Sequence, residues 1–182
     1  GPVLETSPFG EWDGGCVFAS PGLVEFSDGT WALRYTGYNV PHKYPRGTLV
    51  SKGAIATWPN GRLISLEAVE LGQFSTVAII PPGRKLRLNA RTMRGGSIRV
   101  EAAHIARSTI ESRTFGDVNP RVLAGSWNAE GHSFADSNPI IGDHPSAPVT
   151  WRGTDDLGHD DGGPVILRFK LDQAEIFALD FE

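Results

Sequence analysis

Apolar and polar residues alternate with a period of two along most of this chain, and turn-forming residues punctuate the alternation. The runs "GLVEF" (22–26) and "TWALRYTG" (30–37) flank Ser27-Asp28-Gly29, and Asp-Gly between two such runs predicts a β-hairpin. "GAIATW" (53–58) and "RLISLEAVE" (62–70) flank Pro59-Asn60-Gly61, which predicts a second hairpin because Asn-Gly readily takes positive φ. "QFSTVAII" (73–80), "KLRLNART" (85–92) and "SIRVEAAHI" (97–105) follow, separated by Pro81-Pro82-Gly83 and Gly95-Gly96. The chain closes with "APVTWRG" (147–153), "PVILRFKL" (164–171) and "AEIFALDFE" (174–182), the last two expected to be joined by a turn at Asp172-Gln173.

No segment sustains a 3.6-residue period, so the expected class is all-β: an antiparallel, jelly-roll-like β-sandwich of about ten strands. In "KLRLNART", Leu86, Leu88 and Ala90 share one face and Arg87, Asn89 and Arg91 the other. In "SIRVEAAHI", Ile98 and Val100 point inward and Arg99 and Glu101 outward, so each sheet is expected to have one dry and one wet face. The stretch 106–146 is long, polar and rich in turn residues and reads as an insertion. It echoes itself, with Phe115, Asp117, Asn119 and Pro120 reappearing as Phe134, Asp136, Asn138 and Pro139.

Composition narrows the partners. The 182 residues carry a formal net charge of −4 and no long run of Lys and Arg, which argues against a nucleic acid held by its phosphates. No apolar run approaches the roughly 18 residues of a membrane-spanning helix. Cys16 is the one cysteine, so no intramolecular disulfide and no cysteine-based zinc site exist; in "GGCVFAS" it reads as a buried thiol. Gly1-Pro2 in place of an initiating Met reads as a cleavage scar, and the chain is expected to be an excised piece or a mature form.

Candidate chemistry concentrates in three places. The loop "NVPHKYPRG" (39–47) brings His42, Lys43, Tyr44 and Arg46 together next to Tyr38, more functional groups than a strand connection needs. Of the five Trp, Trp31 lies in a strand and reads as core, whereas Trp58 beside Pro59 and Trp127 in the polar stretch are candidates for exposure. Exposed aromatic rings stack on the apolar C–H faces of sugars, while Asp, Asn, Arg and His bind sugar hydroxyls. The expected ligand-binding set is therefore Tyr38, His42, Tyr44, Arg46, Trp58, Trp127 and Asp136, and the expected partner a glycan or polysaccharide. The acidic turn "GTDDLGHDDGG" (153–163) offers Asp155, Asp156 and Asp160 as oxygen ligands for calcium, without the spacing of an EF-hand, beside the plainer reading of a solvated turn. No nucleophile elbow, His-Glu-x-x-His or P-loop pattern occurs.

The stretch "WDGGCVFASPGLVEFSDGTWALRYTGYNVPHKYPRG" resembles the end of the last blade of a five-bladed propeller glycoside hydrolase, with its Asp-Gly turn and "W-x-L-x-Y-x-G" strand. "GAIATWPNGRLISLEAVELGQFSTVAIIPPGRKLRLNARTMRGGSIRVEAA", "SFADSNPIIGDHPSAPVTW" and the closing "PVILRFKLDQAEIFALDF" are similar to the β-sandwich appended to such enzymes. "WPNGR" departs from that family's Asp-Gly-Phe turn. The resemblance implies that residues 1–46 are a blade remnant plus linker and 47–182 the sandwich, with the 106–146 insertion. It implies a non-catalytic accessory module, secreted or periplasmic, partnered by the catalytic propeller of the same polypeptide. Asp13 would belong to the propeller's acidic funnel. The alternatives are a purely structural module bracing that propeller, and a small jelly-roll glycoside hydrolase or polysaccharide lyase, the last resting on His42 and Tyr44.

Overall fold

The structure, a computed structural model, describes residues 3–43, 48–104, 129–160 and 163–182. The architecture is all-β and antiparallel, as the alternation predicts, and is consistent with a β-sandwich: two four-stranded sheets with no α-helix among the described residues. The chain divides into two compact units, Gly1–Ile64 and Ser65–Glu182.

The first unit is built on β3 (Thr30–Tyr38). One edge of β3 pairs with β1 (Cys16–Ala19) and β2 (Val24–Glu25), and the other pairs along its whole length with β4 (Ser51–Pro59). The Asp28-Gly29 hairpin forms as expected. Gly29 sits at φ 79° and the Asp28 carboxylate accepts the Thr30 N–H at 2.9 Å, and those hydrogen bonds lower the Asp28 pKa. The second expected hairpin does not form. Pro59-Asn60-Gly61 does turn, with Gly61 at φ 73° and Arg62 N–H bonded to the Pro59 carbonyl. The chain then continues into the second unit, which begins at Ser65, and β4 pairs with β3 instead. That pairing also ties 51–59 to the N-terminal unit.

The second unit has the order β5-β8-β6-β7, with β5 Leu66–Ser75, β6 Leu86–His104, β7 Asp143–Pro148 and β8 Val165–Phe181. The expected strands 85–92 and 97–105 have merged into β6 and 164–171 and 174–182 into β8; with 62–70 and 73–80 sharing β5 and β1 added, the described residues form eight strands. Gly95-Gly96 does not end a strand but kinks β6, and Asp172-Gln173 does not join a hairpin but kinks β8. The two kinks face each other: the register slips between Thr92 and Ser97, Gln173 stands at φ 46°, and a Cβ on Gly96 would lie 2.5 Å from the Asp172 carbonyl oxygen. On either side of the kink the strands re-pair, so Leu86, Leu88 and Ala90 from one half and Ile98, Val100 and Ala102 from the other enter one buried cluster with Leu167, Phe169, Leu171 and Ile176. Each fully buried aliphatic or Phe side chain contributes about 1.5–3 kcal/mol.

The described part of the expected insertion is integral to this core. Ile98 and Ile140 exchange both backbone hydrogen bonds at 2.9 Å, and Trp151 is 1% exposed with its indole N–H donating to the Val100 carbonyl at 2.8 Å. The expected wet face of β6 is only partly wet. Asn89 and Glu101 are buried, and so is Glu175 of β8. Glu101 is met by Arg168 at 2.7 Å and Glu175 by Arg91 at 2.5 Å, which offsets the cost of burying each carboxylate.

Candidate functional site

Register decides which side chains of the first unit share a face. Cys16 lies opposite Tyr38 and Phe18 opposite Thr36, and directly paired residues point to the same side of a sheet. Phe18 therefore stands beside Tyr38, with ring centroids 5.6 Å apart and edge to face, and the His42 ring packs on Phe18 at 5.4 Å. Edge-to-face packing at this separation is favourable and leaves Phe18 49% exposed. These three rings, with Cys16, Pro41 and Lys43, line an open cavity of 410 Å³.

The loop that delivers His42 and Lys43 is anchored at its base. Asn39 ties the loop's two ends together, donating through its side-chain amide to the Thr48 carbonyl and accepting the Val50 N–H through its side-chain oxygen. The Gly15 N–H donates to the Tyr38 carbonyl at 2.8 Å, and a Cβ on Gly15 would come within 2.1 Å of Val40 backbone, so only glycine allows this approach. Cys16 is half-buried, not the buried thiol expected. Its Sγ donates to the Val40 carbonyl at 3.5 Å and it lines the cavity wall.

Phe18 also lines a shallower groove of 610 Å³, which runs along the same face over Ser20, Arg34, Thr36 and Ile55. No described carboxylate pairs with Arg34 or Lys43, and none of the residues lining the cavity or the groove is Asp or Glu. The two-carboxylate constellation of a glycosidase is therefore absent from these linings.

The opposite face of the sheet is different. Trp31 pairs across from Trp58, and both are half-buried, so Trp31 is not core and Trp58 is turned away from Tyr38 and His42. Trp12 stacks on Tyr35 at 5.9 Å, with the Lys52 ammonium over the Trp12 ring. Asp13 is 5% exposed and accepts the Tyr35 hydroxyl at 3.3 Å. Burial, followed by the Asp13 charge and hydrogen bond, raises the Tyr35 pKa.

In the second unit, Asp136 is engaged locally. Its carboxylate accepts the Ser133 hydroxyl at 2.6 Å and the Ser133 N–H at 3.1 Å and pairs with Arg152 at 2.5 Å, with only 8% of its side chain exposed. These hydrogen bonds, the Ser133 hydroxyl first, hold its pKa below the usual carboxylate value. Asp156 takes a two-pronged contact from Arg84, both distances 2.9 Å, and Asp155 pairs with Lys85 at 2.8 Å. Both pKa values are lowered by those partners. Among the described residues no three His, Cys, Asp or Glu side chains stand where they would hold a metal ion. The same turn backs a cluster of histidines: the His104 and His132 rings are 5.1 Å apart and His132 is 4.9 Å from Trp151. His104 Nε2 donates to the Leu157 carbonyl at 2.6 Å, and Gly158 packs against both rings.

Of the expected ligand-binding residues, Tyr38 and His42 are thus brought together, whereas Trp58 is on the opposite face of that sheet and Asp136 belongs to the second unit. Tyr44, Arg46 and Trp127 fall outside the described residues, as do Asp161 and the first copy of the internal echo. Phe18, Arg34 and Lys43 complete the lining; no local signal in "VFAS" or "WALRYTG" marks Phe18 or Arg34, because their alignment depends on how β1 meets β3. No protein-family description, no curated protein and no solved structure matches this chain.

Proposed function

We propose that this chain is a non-catalytic carbohydrate-binding β-module of a carbohydrate-active enzyme, with its binding surface on the β1/β3 face of the N-terminal unit. The observation that carries the reading is the open cavity walled by Phe18, Tyr38 and His42. It offers exposed ring surface for the C–H face of a sugar, ring-edge and hydroxyl groups for its oxygens, and an anchored loop that fixes the wall before binding. The resemblance to modules appended to propeller glycoside hydrolases supports the same reading and carries with it a secreted or periplasmic setting.

The test is an affinity-gel and calorimetry panel of soluble polysaccharides. Retention by at least one of them, lost in Phe18→Ala and in Tyr38→Ala with unchanged melting, is the expected result. Uniform absence of retention by the folded protein overturns the reading. A bracing module is the second reading, favoured by the apolar residues exposed along the β5 region of the C-terminal unit: Val69 at 79%, Leu71 at 72% and Val77 at 79%. Such a stretch is characteristic of a surface covered by another protein part.

A further inference from the structure

We infer that the ligand of the β1/β3 face is an acidic glycan, one whose sugar rings carry carboxylate or sulfate groups. The inference rests on the carbohydrate-binding reading above and adds the charge of the ligand to it. The chain as a whole has 21 acidic against 17 basic residues. The cavity and its adjoining groove invert that balance: they present Arg34, Lys43 and His42 and no carboxylate. Elsewhere Arg84, Lys85, Arg87, Arg91, Arg152 and Arg168 are paired with carboxylates, and Arg99 donates to backbone carbonyls. Arg34 and Lys43 have no carboxylate partner among the described residues and flank the aromatic wall, one in the groove and one in the cavity. Lys43 is held at φ 68° at the loop tip, an unfavourable conformation for a residue other than glycine. A guanidinium matches a planar carboxylate or a sulfate with paired N–H donors. Phe18, shared by both hollows, places a sugar ring between the two charges. Two cationic side chains beside a histidine, in a net-negative protein, favour a lightly charged sugar polymer over a nucleic acid, whose binding calls for a broader basic surface.

The decisive comparison uses polymers that differ only in charge: polygalacturonate against its methyl ester, and dextran sulfate against dextran, with a single-stranded oligonucleotide as a third polyanion. The expected result is about tenfold tighter binding of the charged member of at least one pair, the worth of one charge-assisted hydrogen bond. Which pair responds tells carboxylate from sulfate. Arg34→Gln should remove most of the difference, and raising salt from about 0.1 to about 0.5 M should weaken only the charged polymer. Phe18→Ala should weaken both members. Equal affinity for charged and neutral polymers, with binding still lost in Phe18→Ala, overturns the acidic ligand and leaves carbohydrate binding standing. Binding of neither by a protein that melts normally overturns both. A charge preference unchanged in Arg34→Gln and Lys43→Gln overturns the assignment of these residues, and equal binding of the oligonucleotide replaces the glycan with a nucleic acid.

Discussion

The two units are made of the same antiparallel strands yet bury very different amounts of apolar side chain. Among the described residues of the N-terminal unit only Ala32 and Val40 are buried hydrophobics, and its aromatic rings are partly or well exposed along both faces of one sheet. In the C-terminal unit Leu88, Ile98, Val100, Leu157, Leu167 and Phe169 have no exposed surface at all. The difference separates two roles that compete for the same residues. A ring packed on all sides stabilises the fold and touches no ligand; a ring left open, such as Phe18, contributes little to stability and is available for recognition.

Truncating the core breaks this contrast first if it is wrong. Trp151→Ala and Leu167→Ala should each cost about 3–5 kcal/mol, through lost transfer energy and a cavity. Phe18→Ala should cost about 0.5 kcal/mol, as exposed substitutions do. Urea titrations followed by circular dichroism compare them directly; similar losses in both units would erase the contrast. Next comes the buried ion pair. Arg168→Ala leaves Glu101 without its cation and should cost about 3 kcal/mol, with part regained in Arg168→Ala/Glu101→Gln. A double-mutant cycle reads that recovery.

The kink is a smaller target. Gly96→Ala forces a Cβ against the Asp172 and Gln173 carbonyls and should cost about 2 kcal/mol by overpacking. The same change at Gly22, where a Cβ meets nothing within 4 Å, should be close to neutral.

The smallest effect is on pH dependence. Burial lowers the His104 pKa from 6.5; the Leu157 carbonyl opposes that shift, His132 and His159 add to it, and Asp160 opposes it. A histidine depressed in the fold binds its proton more readily when unfolded. Its contribution is therefore complete above the unfolded value and is lost as pH falls through 6.5 toward the depressed value. Urea midpoints should drop between about pH 7.5 and pH 5.5, and His104→Gln, which keeps a donor for Leu157, should flatten that slope.

How much was legible follows from the range of the signal. The Asp28-Gly29 hairpin was readable because four adjacent residues specify it. The alternation in "KLRLNART" placed Leu86, Leu88 and Ala90 inside, where they are. Gly95-Gly96 and Asp172-Gln173 misled because a glycine or a positive φ serves a chain reversal and a bulge equally well; only the pairing of β6 with β8 selects the bulge. Asn89 and Glu101 misled for a related reason, since alternation assigns a face but not what covers it. In the candidate site, the crowded loop made Tyr38 and His42 readable, while Phe18 and Arg34 were silent until β1 took its register on β3.

By itself, then, the sequence determined an all-β chain, its first hairpin and the inward face of its longest strands. These depend on near neighbours, where the period of the backbone and the φ preference of a few residues are decisive. The tertiary structure alone decided that two kinked strands would replace four, that Trp151 would close the core, and that Phe18, Arg34 and Lys43 would share one face without a carboxylate. Those outcomes depend on which strands find each other across the chain, and pairing energy is a property of both partners together.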